Sequence, residues 1–423
     1  MAHILLIILV LCLFPLSWLY MRGMFRGHQS FNIIGIPAND KRFGTTLASL
    51  SDSHLTSGEA VHFYNNIDQI QQARLKAIAN AKHLICFETF KMAPGKRADD
   101  FATALKKKAR EGVLVQILVD SNGAKELSKR YWQSLKRAGV KVCFFNPFSW
   151  RSPVEYLRRN HRKLMIVDQR VALIGGVGIA DFWDGVIPEN ATSPWLDFEV
   201  HWQGEAVSFL TGLFWQHWLS SGGKVDLRLH QPSLSQSENP EQLLITSGED
   251  PTPEDSPIRS LFQTAALAAQ KRIWIASPYL LPDDETTSIL IAAKAADIDV
   301  RIMTMGPCND KYYVYYTSRQ NYAPLLKGGV AIYEYQPSMM HAKVILIDDQ
   351  WVCLGSANLD PRSFYHNDEL NICSPQTSLV ESIDQFFKSA FAHSHLVGYK
   401  EWGDRPLKQK VLGRLFNVGY WQL

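Results

Sequence analysis

Two short stretches of this chain carry the same reactive side chains at the same spacing. One reads Asn160-His161-Arg162-Lys163-Leu164-Met165-Ile166-Val167-Asp168 and the other Met340-His341-Ala342-Lys343-Val344-Ile345-Leu346-Ile347-Asp348. Both are His-x-Lys-x-x-x-x-Asp. On an extended chain alternate side chains share a face, so His161 accompanies Lys163 and His341 accompanies Lys343, while Arg162 and Ala342 point away. The match continues downstream: Gly175-Gly176-Val177-Gly178 stands at the same distance from His161 as Gly355-Ser356-Ala357-Asn358 does from His341. One such triplet among 13 histidines is a weak signal, but two in register are a strong one.

An imidazole paired with an ammonium suits displacement at phosphorus. That reaction needs a nucleophile, a proton for the leaving alkoxide, and positive charge or donors around the non-bridging oxygens. Imidazole fills the first two roles near neutral pH when one ring is neutral and the other protonated. Lys163 and Lys343 supply charge, and the Ser356 hydroxyl and Asn358 amide are candidate substrate-binding donors. The catalytic candidates are therefore His161, Lys163, Asp168, His341, Lys343 and Asp348. For the two aspartates a structural role competes and is favoured, because each ends a strand. No metal or cofactor is expected, since two lysines supply the positive charge and would repel a cation. A nucleophilic histidine also needs a carboxylate on its second ring nitrogen. Glu369, downstream of Asn358, and Asp197, in Pro194-Trp195-Leu196-Asp197, are the orienting candidates, and Glu199 on the same strand face competes with Asp197.

The elements that must hold these residues are also written twice, over Gly58 to Ser220 and Pro257 to Ala392. Each copy opens with an amphipathic helix (Ile67, Ile70, Ala73, Ala77; Ile258, Leu261, Phe262, Ala265) that leads into an apolar strand, Leu84 to Phe90 or Ile273 to Tyr279. A second helix and strand follow, then a helix stopped by glycine and a strand ending at Pro147 or Pro337. This alternation predicts two α/β units with largely parallel sheets covered on both faces. A pseudo-twofold axis between them would set the two histidines on opposite sides of phosphorus. The copies differ at one place: the first inserts Phe148 to Asn160, with Trp150, Arg151, Tyr156, Arg158 and Arg159, where the second has only Ser338 to Met340. The domain plan is 1–26 as an anchor, 45–228 as the first unit, 229–255 as a linker rich in Ser, Pro, Gln and Glu, and 256–423 as the second unit.

The first residues stand apart from an otherwise ordinary globular composition, 46% hydrophobic and 20% charged. Ile4 to Tyr20 is an apolar run of about 26 Å as a helix. No small-x-small cleavage site follows it, and Arg22 and Arg26 lie after it, which favours a retained transmembrane helix with the remainder in the cytoplasm. A net charge of +3 is too mild for a dedicated nucleic-acid binder, and no basic run marks one. The six cysteines form no Cys-x-x-Cys pair and read as buried free thiols of a reducing compartment.

With its paired motifs followed by Gly-Gly and Gly-Ser, the chain resembles the phospholipase D superfamily, and within it the bacterial cardiolipin synthases. Supporting segments are Phe87-Glu88-Thr89-Phe90, Ser277-Pro278-Tyr279 and the stretch from His341 to Glu369, including Leu359-Asp360 and Arg362-Ser363-Phe364. The resemblance implies duplicated phospholipase D-like α/β sandwich domains with pseudo-twofold symmetry, preceded by the transmembrane helix. It implies phospholipid substrates at a bacterial inner membrane, and transfer between lipids through a phosphatidyl-histidine, with hydrolysis by water as the alternative. His161 would be the nucleophile and His341 the general acid and later base. One departure is Gly178, where the family pattern has Asn, which removes a donor from the first half and weights phosphate holding toward His341.

Overall fold

The computed structural model describes residues 2–21, 33–151, 155–185, 193–228 and 240–423. The first half supplies β1 (His54–Tyr64), β2 (Leu84–Thr89), β3 (Leu114–Asp120), β4 (Lys141–Phe145), β5 (Arg159–Asn160), β6 (Leu164–Val167), β7 (Val171–Gly175) and β8 (Glu199–Gln203). The second supplies β9 (Glu241–Gly248), β10 (Arg272–Ala276), β11 (Asp299–Met305), β12 (Ala331–Tyr335), β13 (Val344–Ile347), β14 (Trp351–Gly355), β15 (Asn367–Ser374) and β16 (Ser394–Leu396). They form one sheet in the order β16-β12-β11-β10-β13-β14-β15-β9-β1-β8-β7-β6-β2-β3-β4, with β5 beside β15. Read outward from the central β9–β1 contact, the two wings have the same order, so the duplication is a pseudo-twofold within a single sheet.

The expected largely parallel sheet holds only at β2-β3-β4 and β10-β11-β12. The strands nearest the axis are antiparallel, because β6–β7 and β13–β14 are hairpins. Strands β6 and β13 are apolar along their whole length and buried on both faces, which hides the alternation that marks antiparallel pairing. Helices Ala206–Ser220 and Thr377–Ala392 cover one face, and their Phe214, Trp218 and Phe387 join Ile166 and Leu346 in a core common to both halves. The opposite face has a separate core in each half, around Phe101 and Leu135 and around Phe262 and Leu290.

Three expectations are corrected here. The segment read as a linker contains β9, which pairs with both β1 and β15; residues 229–239 of it lie outside the described residues. Polar neighbours conceal the apolar Leu243, Leu244 and Ile245, each fully buried. Cys353 and Cys373, read as free thiols, form a disulfide between register partners on β14 and β15. The apolar N-terminal run forms helix Ala2–Met21, with side chains described from Ile8 to Trp18. Among the described residues no helix is long and apolar enough to cross a membrane. Arg22 and Arg26 lie outside the described residues.

Candidate active site

The two histidines sit just before β6 and β13, and each is fixed at two points by the opposite half. The His161 N–H donates to the Asp368 carbonyl at 2.9 Å, and the His341 N–H to the Leu196 carbonyl at 2.8 Å. The next residue after each of those carbonyls is a carboxylate that reaches the imidazole. Glu369 lies with both oxygens 3.0 Å from His161 Nδ1, and Asp197 Oδ2 lies 2.7 Å from His341 Nδ1. Each histidine is thus oriented by a carboxylate from the other copy of the fold, and Glu369 serves His161 instead of its own half's His341. With Nδ1 engaged, Nε2 is the ring atom left to react.

His161, Lys163, His341 and Asn358 line one cavity of about 1260 Å³. Lys163 Nζ donates to the His161 carbonyl at 2.7 Å and Lys343 Nζ to the His341 carbonyl, so each ammonium is tied to its own motif. Lys343 does not line the cavity, but both lysines bring their charge to the imidazoles. Aromatic edges close around the rings: Phe90 stands against His161, and Trp183 and Trp195 against His341.

Burial dominates the electrostatics. It pushes His161 down to about 4 against the pull of Glu369, with Lys163 and Lys343 adding to the fall. Burial also lowers His341 well below its ordinary value, again reinforced by the two lysines. Lys163 is brought down to about 8 and Lys343 to about 7 by the same desolvation. Burial would raise Glu369, but His161, Lys163 and the Ser356 hydroxyl outweigh it and keep the carboxylate ionised. Asp197, with fewer such partners, is pushed up to about 6. The sign of the consequence follows from the lysines, whose charge disappears as pH rises through a lowered pKa. The free enzyme should lose kcat/KM below about pH 6, as Asp197 takes up a proton, and progressively above about pH 7 to 8, as the lysines lose theirs. A pH profile without an alkaline limb would contradict this.

Asp168 and Asp348 are not part of this constellation. Both lie past the far ends of β6 and β13, at φ of 51° and 52° in the hairpin turns. The Asp168 carboxylate accepts the backbone N–H groups of Lys82, His83 and Leu84 at 2.7–2.8 Å. Asp348 does the same for Gln270, Lys271 and Arg272. They close the loops that feed β2 and β10, so the motif's aspartate is structural in both copies. Ser356 is also displaced from the role expected of it: its hydroxyl donates to Glu369 Oε2 and accepts from the Leu370 N–H, so it holds the orienting carboxylate. Asn358 does face the cavity, and its buried Oδ1 has no partner among the described residues.

Gly178, the counterpart of Asn358, has lost more than a side chain. A Cβ there would lie 2.6 Å from the Lys91 carbonyl and 2.7 Å from the Trp183 ring. Trp183 occupies that space and donates from Nε1 to Asp197 Oδ2 at 3.0 Å. The first half has therefore exchanged a phosphate donor for an indole that positions a carboxylate. Gly178→Asn is expected to destabilise the fold by about 1–3 kcal/mol without raising turnover, checked by thermal melting and assay.

Sequence reasoning missed Arg74. This buried arginine holds Glu199 through Nε at 2.9 Å and the Val177 and Gly178 carbonyls through its terminal nitrogens at 2.8 and 3.1 Å. Glu199 is thereby removed from competition with Asp197. The signal was present: Arg74 falls on the stripe Ile67, Ile70, Arg74, Ile78 of helix Ile67–Asn80, a cation on an apolar face. His217 is a second such case, on the buried face of Ala206–Ser220. It bridges Glu88 at 2.6 Å and Asp368 at 3.1 Å, behind the strand that presents Glu369.

Two duplicated wings sharing one cavity, with a histidine from each in its lining and a lysine tied to each histidine's carbonyl, define a phospholipase D-like enzyme. The family described as "Cardiolipin synthase, PLD-like domain" matches residues 75–181 and 264–391. Cardiolipin synthase 1 of Bacillus cereus is 30% identical over 92% of this chain and 78% of its own length. The cardiolipin synthase of Alkalihalophilus pseudofirmus is 34% identical over 80% of this chain and 67% of its own. Among solved structures, phosphatidylserine synthase of Haemophilus influenzae Rd KW20 superposes with a TM-score of 0.70 at 13% identity, covering 90% of this chain and all of that one. The chain belongs to the cardiolipin synthase family of phospholipase D-like enzymes.

Proposed function

We propose that this enzyme makes cardiolipin from phosphatidylglycerol and a second phospholipid through a phosphatidyl-histidine. The observation that carries the reading is the pair of crossed histidine–carboxylate contacts opening into one cavity. His161 Nε2 attacks the donor phosphorus; the ionised Glu369 on Nδ1 stabilises the cation that forms as the P–N bond is made. His341 gives its proton to the departing glycerol oxygen, then takes one from the hydroxyl of the acceptor lipid. The substrate's own anion offsets the lysine charges that depress His341 in the empty site, which protonates it when a leaving group is present. Lys163 and Asn358 hold the non-bridging oxygens, and Lys343, outside the cavity lining, adds its charge.

The reading includes a bacterial inner membrane with the catalytic halves on its cytoplasmic side. Helix Ala2–Met21 exposes Leu11 and Phe14 at 66% and 74%, a cost in water that an apolar phase removes. Helix Leu407–Phe416 likewise exposes Leu407, Val411 and Leu415 in a row, beside Lys408 and Arg414. Purified protein given labelled phosphatidylglycerol, with and without phosphatidylethanolamine, should yield cardiolipin. Phosphatidic acid alone would make it a hydrolase, and no product would leave only a lipid-binding role.

A further inference from the structure

The insertion of the first half ends in β5, and that strand delivers a second cation to the cavity. Arg159 lines its wall two residues before His161, about 7 Å along an extended chain. It is 8% exposed, its guanidinium stacks 4.0 Å over the Tyr156 ring, and its buried Nη1 has no partner among the described residues. Arg362, from helix Pro361–Tyr365 of the other half, lines the same cavity. Arg362 Nη2 donates only to neutral oxygens, the Leu157 carbonyl at 2.8 Å and Asn367 Oδ1 at 3.1 Å. Other buried guanidiniums are neutralised directly: Arg74 by Glu199, Arg162 by Glu249 and Arg259 by Asp283. Burial weakens the hold of Arg362 on its proton; Asp360 opposes this, Arg159 adds to it, and Asp120 and Glu369 oppose it further. Two like charges on one wall, neither in an ion pair among the described residues although Asp360 and Asp120 lie near enough to act on them, describe a site that an anion would complete. A planar fork on each side suits a phosphate bidentately.

The reacting phosphate does not need this pair, since Lys163 and Asn358 line the cavity beside the histidines and Lys343 adds its charge from outside the lining. A transfer reaction brings a second phosphate of its own, on the acceptor lipid. We propose that Arg159 and Arg362 hold the phosphodiester of the acceptor phospholipid while its hydroxyl attacks the phosphatidyl group on His161. In that step the acceptor oxygen forms the new P–O bond, the P–Nε2 bond breaks with its electron pair returning to the ring, and the hydroxyl proton passes to His341. Water has no phosphate to be held, so the pair favours transfer over hydrolysis. The inference rests on the phosphatidyl-transfer reading.

The test is a partition measurement on the full-length protein with labelled phosphatidylglycerol in detergent–lipid micelles. In R159Q and in R362Q the ratio of cardiolipin to phosphatidic acid is expected to fall at least tenfold, with partial recovery in R159K. Labelled glycerol, an acceptor hydroxyl without a phosphate, should exchange into phosphatidylglycerol in unchanged proportion to hydrolysis in the same variants. Equal loss of all three products, or a wild-type ratio in both variants, would overturn the acceptor site while leaving transfer intact. Inorganic phosphate at the acceptor's concentration should leave the wild-type ratio unchanged; suppression there would assign the pair to free phosphate instead. A wild-type enzyme that yields phosphatidic acid alone would remove the transfer reading and the acceptor site with it.

Discussion

His161→Ala should reduce lipid turnover by at least about 10⁴-fold, and no choice of leaving group should restore it. The imidazole is the atom source of the first bond made, so a better leaving group leaves nothing for it to leave from. His341→Ala should cost about 10²- to 10⁴-fold with phosphatidylglycerol, the usual range for a general acid, and far less with a nitrophenyl phosphodiester whose leaving group needs no proton. In that second variant the intermediate should accumulate, because the base that activates the acceptor has gone as well. Intact-protein mass spectrometry should then show one phosphoryl-containing adduct, labile to acid and stable to alkali, on the peptide holding His161. The asymmetry follows from the carboxylates. Glu369 is kept ionised by His161, Lys163 and two hydroxyls, Ser356 and Ser363, the latter at 2.8 Å. Asp197 is pushed up to about 6 by burial, although Lys343, Lys163, one indole and one backbone N–H oppose it, and no hydroxyl donates to it among the described residues. The better-charged partner stabilises an imidazolium better, which suits the histidine that becomes covalently bound. An adduct on His341, or equal rescue of both variants by the activated substrate, would reverse the assignment.

How much of this could be read from the chain depended on whether the signal was local. The His-x-Lys pairs, the doubling and the alternation of helices and strands are repeats of sequence, and they lead directly to Lys163, Asn358 and both imidazoles on one cavity, with Lys343 tied to the His341 carbonyl outside its lining. The pairing across the axis is not local. Nothing near Glu369 says that it faces His161, because the contact is made by β15 running beside β5, and β5 is two residues long. The motif's aspartates, for which a structural role is the favoured reading, recur for another reason: their spacing is fixed by the hairpin they close, so they repeat as faithfully as the histidines without touching the chemistry. Strand β9 was invisible because a strand between two others needs few apolar residues when its neighbours supply the burial. Arg74 and His217 were legible as polar residues on apolar helix faces, but which carboxylate each would meet depended on the assembled sheet.

The crossed arrangement makes its own strong prediction. Glu369→Gln and Asp197→Asn each keep the shape and a hydrogen-bond acceptor beside Nδ1, but remove the charge that supports an imidazolium; loss on the order of 10⁴-fold in kcat is expected where a comparable aspartate is replaced by an amide. Folding should survive, since Gln can still meet Ser356 and Ser363, and Asn can still accept from Trp183. The two variants should fail at different steps although both sit in one cavity. Glu369→Gln should slow formation of the adduct, so that no intermediate builds up even with an activated leaving group. Asp197→Asn should permit adduct formation from that substrate and stall its resolution, reproducing His341→Ala. Because Glu369 belongs to the second half and His161 to the first, the pattern groups residues across the halves and not within them. A Glu369→Gln variant that behaves like His341→Ala would mean that each half supports its own histidine in solution, and the site would then be two half-sites rather than one. Activity within about tenfold of wild type in either variant would show that orientation alone, without charge, is what these carboxylates provide.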